Sequence, residues 1–292
     1  MIQAEGIFAE GIFAGGATKP YIEEIYDSDG NLIDVKLYGY TKIRDYAFSD
    51  CYDLALTSLP DEIVSIGNNA FRACFSLALT SLPAGITSIG GGAFYNCNNL
   101  ALTSLPAGIS SIEKAAFFGC TNLAFTSLPD GITRIGHSAF CECTNLALTS
   151  LPAGITSIGD DAFAACQSLS LTSLPNGITN IGPNAFYACY NMALTNLPNG
   201  LTSIEVYTFG ECNSLAITSI PSGIDRIGSS AFFACTGLTE LTFMGTPTSI
   251  ELDAFNGCEN LTTINVPWAN GAVANAPWGA TNATINYNYT GG

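Results

Sequence analysis

One phenylalanine recurs every 23 residues along most of this chain, ten times without a slip. A cysteine follows each of these phenylalanines by three residues. The ten positions are Phe48, Phe71, Phe94, Phe117, Phe140, Phe163, Phe186, Phe209, Phe232 and Phe255. A fixed period of this length is typical of a solenoid, in which one repeat has no core of its own and buries its apolar face against its neighbours. The period therefore predicts a single elongated repeat domain and disfavours most enzyme folds.

The fixed letters of the repeat, L-A-L-T-S-L-P-x-G-I-T-S-I-G-x-x-A-F-x-x-C-x-x, each predict a local structure. The run L-A-L-T-S-L-P is short, apolar and closed by proline, so we expect a strand of a parallel sheet that runs the length of the solenoid. The run I-T-S-I predicts a second short extended stretch on the opposite wall. The spacing of Ala, Phe, Cys and Leu in A-F-x-x-C-x-x-L is typical of one or two helical turns. We therefore expect a β-rich repeat solenoid with short helical turns.

The runs LPxGITSIGxxAFxxCxxL resemble the BspA-like, or Treponema-type, bacterial leucine-rich repeat family. The resemblance implies a non-catalytic leucine-rich repeat solenoid of ten 23-residue coils with N- and C-terminal caps, acting in recognition or adhesion. The family's strand has apolar residues at its first, fourth and sixth positions, and only the last two copies here keep that pattern. The earlier copies, such as Leu100–Leu105, place leucine third and threonine fourth. This departure predicts a bulge or a shifted register in those strands.

The sequence divides into four segments. Residues 1–20 form an apolar docking segment, 21–39 a β-hairpin cap, 40–267 the solenoid, and 268–292 a C-terminal cap that ends in a closing strand. In the first segment Glu5–Ala9 is repeated as Glu10–Ala14. This duplicate predicts docking or oligomerisation through Ile7, Phe8, Ile12 and Phe13, and an extra cap segment is the alternative. Neither a signal peptide nor an anchor is visible, because a basic start is missing and glutamates interrupt the apolar run.

The flanking stretches YIEEIYDSDGNLIDVKLYGYTKIRDYAF and NAPWGATNATINYNYTG resemble those of leucine-rich repeat proteins from phage and prophage tail regions of gut Firmicutes. That resemblance implies an extracellular protein associated with a virion. Residues 1–20 would then bind a virion partner or another copy of the chain. Two alternatives stay open: a secreted bacterial cell-surface adhesin of the BspA type, and a purely structural spacer or assembly component.

The chain is acidic, with a formal net charge of -16 and only eight basic residues. This balance disfavours nucleic-acid binding, which requires Lys and Arg to displace counterions from phosphates. It also disfavours docking on anionic lipid. No apolar run approaches the roughly 20 residues that a membrane-spanning helix needs, so membrane insertion is not expected. The expected partner is a protein or glycan ligand on a cell surface.

The eleven cysteines predict a buried ladder of free thiols and not a disulfide framework. Ten of them share one repeat position, and parallel side chains do not meet disulfide geometry. Cys141 lies outside the ladder and is expected to be an exposed, reactive thiol. The chain has a single histidine, His137, at a variable position that predicts surface exposure. We therefore expect no catalytic residues, no metal and no cofactor.

Positions that repeat in every coil are explained by packing, whereas positions that vary are available for recognition. Seven large aromatic residues occupy such variable positions. They are Phe75, Tyr95, Phe118, Tyr187, Tyr190, Tyr207 and Phe233. Aromatic residues at free positions are typical of protein or sugar contacts. Lateral packing of these rings against neighbouring coils is the alternative.

Overall fold

The computed structural model describes residues 21–291, and it begins with an antiparallel hairpin. Strand β1 spans Tyr21–Tyr26 and β2 spans Leu32–Tyr38. The turn between them is held by the carboxylate of Asp27, which accepts the backbone N–H groups of Asp29 and Asn31 at 2.9 Å each. Val35 and Leu37 of β2 are buried in the same core as the first coils. The hairpin therefore covers the first coil of the solenoid.

Beyond the hairpin the chain winds through about eleven turns of roughly 23 residues, and the described part contains no helix. One wall consists of ten two-residue strands from the I-T-S-I runs. They are β3 (Lys42–Ile43), β4 (Ser65–Ile66), β5 (Ser88–Ile89), β6 (Ser111–Ile112), β7 (Arg134–Ile135), β8 (Ser157–Ile158), β9 (Asn180–Ile181), β10 (Ser203–Ile204), β12 (Arg226–Ile227) and β14 (Ser249–Ile250). Each isoleucine is buried, and parallel pairing joins neighbouring coils. This extended stretch was predicted correctly.

This wall is interrupted twice. The strands group as β3–β5, then β6–β9, then β10 with β12 and β14, so pairing fails before Glu113 and before Glu205. In most coils a glycine follows the isoleucine, and a Cβ added at Gly159 would lie 2.6 Å from the backbone nitrogen of His137 in the preceding coil. Glu113 and Glu205 carry a side chain at this position. Glu251 does so too but keeps its bond to Ile227 at 3.0 Å, so a side chain alone does not open the wall.

The A-F-x-x-C segment forms a wall of tight turns, and the prediction of helical turns there was wrong. Alternate N–H groups bond forward to the next coil: Tyr46 to Asn68 at 2.8 Å and Phe48 to Ala70 at 2.7 Å. The residues between them bond locally, as Ser49 does to Tyr46 at 3.1 Å. The forward bonds require a left-handed backbone at two positions per coil, such as Tyr46 and Asp50 with φ of 61° and 63°. A helix would use every N–H group inside one coil and would leave the next coil unbonded.

The L-A-L-T-S-L-P run was predicted as a strand along the whole solenoid, and this was wrong for most copies. In the described chain, strands of this wall occur only near its end: β11 (Ser219–Ile220), β13 (Glu240–Phe243), β15 (Thr263–Asn265) and β16 (Thr284–Asn286). The earlier copies bury Leu54, Leu56 and Leu59 but expose both Thr57 and Ser58. Two consecutive outward residues break the alternation that a strand needs. Glu240–Phe243 keeps the family pattern and pairs regularly.

A column of phenylalanine rings runs through the core of the solenoid. Successive rings stack at centroid distances between 5.1 and 5.8 Å, as Phe232 does on Phe255 and Phe186 on Phe209. Each ladder thiol from Cys74 onward donates to the carbonyl of the phenylalanine 26 residues earlier, at 2.9 to 3.1 Å. Burial raises the pKa of these thiols. All ten ladder cysteines are free and buried, as predicted.

The fold continues for one turn after the 23-residue sequence pattern ends at Val266. Trp278 lies 23 residues after Phe255, takes the place of the next phenylalanine and is fully buried. Phe255 N–H donates to the carbonyl of Trp278 at 2.9 Å, the same forward bond that joins earlier coils. Strand β16 then pairs in parallel with β15. The repeat was missed here because a tryptophan replaces the phenylalanine and the cysteine is absent.

Candidate recognition site

The predicted aromatic residues lie in three groups on the wall of tight turns. Phe75 stacks on Tyr52 at 5.2 Å, and Tyr95 stacks on Phe118 at 4.6 Å. Phe75 and Tyr52 are 42% and 52% exposed, so that pair faces solvent. The third group combines Tyr187, Tyr190, Tyr207 and Phe233. Lateral packing between coils and exposure to solvent therefore occur together in the first pair.

The third group surrounds the carboxylate of Glu211. Tyr187 donates its hydroxyl to Glu211 at 2.7 Å, and Tyr190 donates at 3.4 Å. The ring of Tyr207 lies edge-on to Tyr187 at 5.8 Å and to Phe233 at 6.0 Å. The hydrogen bond to Glu211, with burial, raises the pKa of Tyr187 to about 12. The side chains in this group bond and pack mainly with one another.

A groove of about 880 Å³ lies on the same side of the solenoid near its first interruption. A second depression of about 600 Å³ shares Asp45, Asn68 and Glu113 with it, so the two lie side by side. The groove exists because the third coil has glycine at both of its variable positions, Gly91 and Gly92. The corresponding residues of the adjacent coils, among them Asn69 and Lys114, carry side chains and form the walls.

Hydrogen bonds across three coils hold one wall of the groove. Asn68 donates its backbone N–H to Asp45 Oδ1 at 2.7 Å and its amide to Asp45 Oδ2 at 3.2 Å. Gly91 N–H then donates to Asn68 Oδ1 at 2.8 Å. On the other wall, Glu113 accepts from Ser111 at 2.7 Å and pairs with Arg134 at 3.2 Å. The acceptors of the groove are therefore fixed in place by the scaffold.

Basic and aromatic side chains line the outer part of the groove. Arg72 pairs with Asp50 at 3.2 Å, and its guanidinium carbon lies 6.0 Å from the centre of the Tyr95 ring. Tyr46, whose side chain is 62% exposed, lies beside them. Lys42, Arg44 and Lys114 also line the groove. With Arg72 they make up half of the chain's eight basic residues.

Tyr52, Arg72, Glu211 and the groove itself were not found by sequence reasoning. The sequence could have identified Tyr52 as a partner of Phe75, since it precedes Phe75 by one repeat of 23 residues. The signal for Glu211 was weaker, because it lies 24 residues after Tyr187. The groove is produced by missing side chains, and a search for functional residue types does not find it. The predicted docking residues Ile7, Phe8, Ile12 and Phe13 lie outside the described residues.

Cys141 and His137 occupy neighbouring surface positions. Cys141 is partly exposed, but burial and the charges of Glu142 and Asp161 raise the pKa of its thiol to about 12. Of the eleven cysteines only Cys141 is not buried, which agrees with the predicted exposure, whereas the raised pKa disfavours the predicted reactivity near neutral pH. His137 is exposed, with Nδ1 3.8 Å from Asp160. Within residues 21–291 no group of His, Cys, Asp and Glu is arranged to hold a metal ion.

No helix in the described part of the chain is long and apolar enough to cross a membrane. A search of curated proteins found no match. Among solved structures, a leucine-rich repeat protein from Bacteroides ovatus is 22% identical with a TM-score of 0.60, covering 94% of this chain and 76% of that one. A leucine-rich repeat protein of T. pallidum is 25% identical with a TM-score of 0.44, covering 82% and 87%. A leucine-rich cell-surface protein from Faecalibacterium prausnitzii is 24% identical with a TM-score of 0.43, covering 89% and 97%.

The Bacteroides structure supports the fold alone, and the repeat itself supports the family. A family model described as a BspA type leucine-rich repeat region of six copies matches residues 41–170 and again residues 156–275. Proteins built from leucine-rich repeats are in general non-enzymatic binding scaffolds, and no catalytic family is indicated. These two matches span most of the solenoid, and the chain therefore belongs to the BspA-type leucine-rich repeat family.

Proposed function

We propose that this chain is a non-enzymatic recognition or adhesion protein that presents a rigid repeat surface to a protein or glycan on a cell surface. The observation that carries the proposal is the groove over Gly91 and Gly92, together with the exposed aromatic residues beside it. Its walls are held by hydrogen bonds between coils. A preorganised surface loses little conformational entropy on binding, which favours affinity.

We assign the seven aromatic residues to two binding patches. The first contains Phe75, Tyr95 and Phe118, which lie near the groove in sequence and in the stack of coils. The second contains Tyr187, Tyr190, Tyr207 and Phe233 around Glu211. The first patch is the stronger candidate, because Phe75 is exposed together with its stacking partner Tyr52 and because Tyr95 lines the groove.

We further propose a specific location for this recognition protein: it is extracellular and is carried on a virion, as part of a phage tail. The resemblance of both flanks to phage-encoded repeat proteins supports it. Residues 1–20 would attach the chain to the particle or to another copy, through Ile7, Phe8, Ile12 and Phe13. A secreted cell-surface adhesin and a structural spacer remain the competing functions.

The test of recognition is direct binding of the fluorescently labelled full chain to intact bacterial and epithelial cells. We expect saturable binding that weakens when Phe75 and Tyr52 are both changed to Ser. The matched control is Gln167→Ala, an exposed residue of the sixth coil that corresponds to Phe75 in its repeat. Absence of saturable binding to any cell tested, with a correctly folded chain, would leave the structural spacer as the better function.

A second experiment addresses the virion and residues 1–20. Antibodies against the solenoid should detect the protein on purified phage particles, and deletion of residues 1–20 should release it while cell binding persists. Detection on the bacterial surface and not on particles favours the secreted adhesin. Retention of the truncated chain on particles excludes docking through Ile7, Phe8, Ile12 and Phe13.

A further inference from the structure

The groove over Gly90–Gly92 differs from the rest of the solenoid surface in charge. Together with the adjoining depression it is lined by four bases, Arg72 and Lys114 in the groove and Lys42 and Arg44 in the depression, against the two acids Asp45 and Glu113. Arg72 is paired with Asp50, and Glu113 is paired with Arg134. The chain as a whole has a net charge of -16, so an excess of positive charge in one groove is unusual for it. Such a groove attracts an anion locally while the remaining surface repels it.

We propose that this groove binds an acidic saccharide, a sugar ring that carries a carboxylate group. The inference rests on the proposed recognition function and names its ligand class. Lys114 and Arg72 provide donors for the carboxylate, and Asp45 and Asn69 provide acceptors and donors for neighbouring ring hydroxyls. Charge-assisted hydrogen bonds of this kind are shorter and stronger than neutral ones.

An exposed aromatic ring favours a saccharide over an acidic peptide. Tyr46 is exposed at the edge of the groove, whereas Tyr95 stacks on Phe118 and lies under Arg72. The apolar face of a sugar ring can pack flat against the ring of Tyr46. A protein partner would need deep, desolvated pockets for its anchor side chains. Here the floor consists of the glycine backbone at Gly90, Gly91 and Gly92, and it offers no such pocket.

The position of Gly91 allows the groove to be filled with little change to the fold. The equivalent residues of other coils are His137, Asp160, Val206 and Leu252, so the scaffold accepts many side chains there. The φ angle of Gly91 is not in the left-handed region, and an added Cβ would lie 3.2 Å from the carbonyl oxygen of Lys114. Gly91→Leu therefore blocks the groove at the cost of a small adjustment. His137→Leu adds the same side chain two coils away and is the matched control.

The experiment titrates the full chain by calorimetry with oligogalacturonate, sialyllactose and alginate oligomers. Neutral lactose, methyl-esterified oligogalacturonate and polyglutamate serve as comparison ligands. We expect at least one acidic saccharide to bind, with neutral sugars and polyglutamate binding at least tenfold more weakly. Lys114→Gln should weaken that binding by about tenfold, because it removes one charged hydrogen bond. Gly91→Leu should abolish binding, while His137→Leu and the charge control Lys36→Gln should leave it unchanged.

Several results would overturn the proposal. One is the absence of binding by all three acidic saccharides, and another is equal affinity for their neutral counterparts. Preference for polyglutamate would assign the groove to an acidic peptide. Unchanged binding by Gly91→Leu, with an unchanged melting temperature, would locate the sugar elsewhere. Cell binding separates this failure from failure of the recognition function: if Gly91→Leu binds cells normally, recognition stands and only the groove assignment is lost.

Discussion

The wall of short strands is interrupted before Glu113 and before Glu205, and these two openings contain the same types of residue. At the first, Glu113 accepts from Ser111 at 2.7 Å and pairs with Arg134 at 3.2 Å. At the second, Glu205 accepts from Ser203 at 2.7 Å and pairs with Arg226 at 3.3 Å. In each case the arginine comes from the following coil. The two sites lie 92 residues apart, which is four repeats of 23.

The two openings differ in what surrounds them. Beside the first, Gly91 and Gly92 leave a groove. Beside the second, Tyr187 and Tyr207 pack against Gly210, where an added Cβ would lie 3.0 and 3.1 Å from their rings. The same irregularity of the scaffold is thus left open in one place and filled in the other. The shape of the surface therefore depends on the variable residues next to an opening as much as on the opening itself.

The largest effect is expected from adding a side chain to a regular coil. Gly159→Ala would place a Cβ 2.6 Å from the backbone nitrogen of His137, so the two coils must move apart. We expect the free energy of unfolding to fall by about 1–3 kcal/mol, as in other overpacked sites. Urea unfolding followed by circular dichroism measures this change. Gly154→Ala is the control in the same coil, because its Cβ would have no neighbour closer than 3.6 Å.

Equal unfolding midpoints for the two variants would mean that a regular coil accepts a side chain after the isoleucine without loss of stability. The coil of Glu251 already does so, because it carries a side chain there and keeps its bond to Ile227 at 3.0 Å. The openings at Glu113 and Glu205 would then depend on the serine and arginine contacts and not on the missing glycine.

A second prediction concerns the filled opening. Glu211→Ala removes the acceptor of Tyr187 and Tyr190, and alanine occupies the same repeat position in Ala188 and Ala234. Hydrogen bonds to charged groups contribute about 1.5–3 kcal/mol. Partial exposure lowers this figure, so we expect a loss of about 1 kcal/mol. Glu142→Ala is the control, an exposed glutamate at the equivalent position of an earlier coil.

The same variant should change the response to alkaline pH. The pKa of Tyr187 is raised from 10.0 to about 12 in the folded chain, so the folded state holds this proton more tightly than the unfolded state. The resulting stability is complete below pH 10 and is lost as the pH rises towards 12. Glu211→Ala should make this alkaline loss smaller, measured as urea midpoints across that range. An identical loss in Glu211→Ala and the native chain would remove Glu211 as its cause.

The Phe and Cys columns of the core could be predicted from the sequence because their period is strict. The Phe and Cys positions repeat every 23 residues, and each is buried as expected. The L-A-L-T-S-L-P strand could not be predicted in the same way. Its composition favours a strand, but Thr57 and Ser58 both face solvent, and that fact depends on how the leucines pack. Tertiary packing overrode local propensity there.

The candidate site was predicted only in part, for a different reason. The aromatic residues at variable positions could be recognised individually, and the structure brings Tyr187, Tyr207 and Phe233 together. Their partner Glu211 lies 24 residues after Tyr187, one more than the repeat, and this weak signal becomes informative only when neighbouring coils are aligned. The groove depends on the absence of side chains at Gly91 and Gly92. Three consecutive glycines in a sequence indicate only missing side chains, and the space beside Lys114 becomes visible only when the neighbouring coils are stacked.

The smallest expected effect is a difference in coupling energy between the two ion pairs, Glu113 with Arg134 and Glu205 with Arg226. The side chain of Glu113 is 39% exposed, whereas that of Glu205, next to the filled opening, is 27% exposed. Exposed ion pairs contribute roughly 0.2–1 kcal/mol and weaken with salt. Double-mutant cycles with Arg134→Met and Glu113→Gln, and with Arg226→Met and Glu205→Gln, measure the two coupling energies. We expect the Arg226 pair to be the stronger and the less sensitive to salt. A stronger Arg134 pair would mean that packing around the second opening does not shield its charges, and the contrast between an open and a filled site would then rest on shape alone.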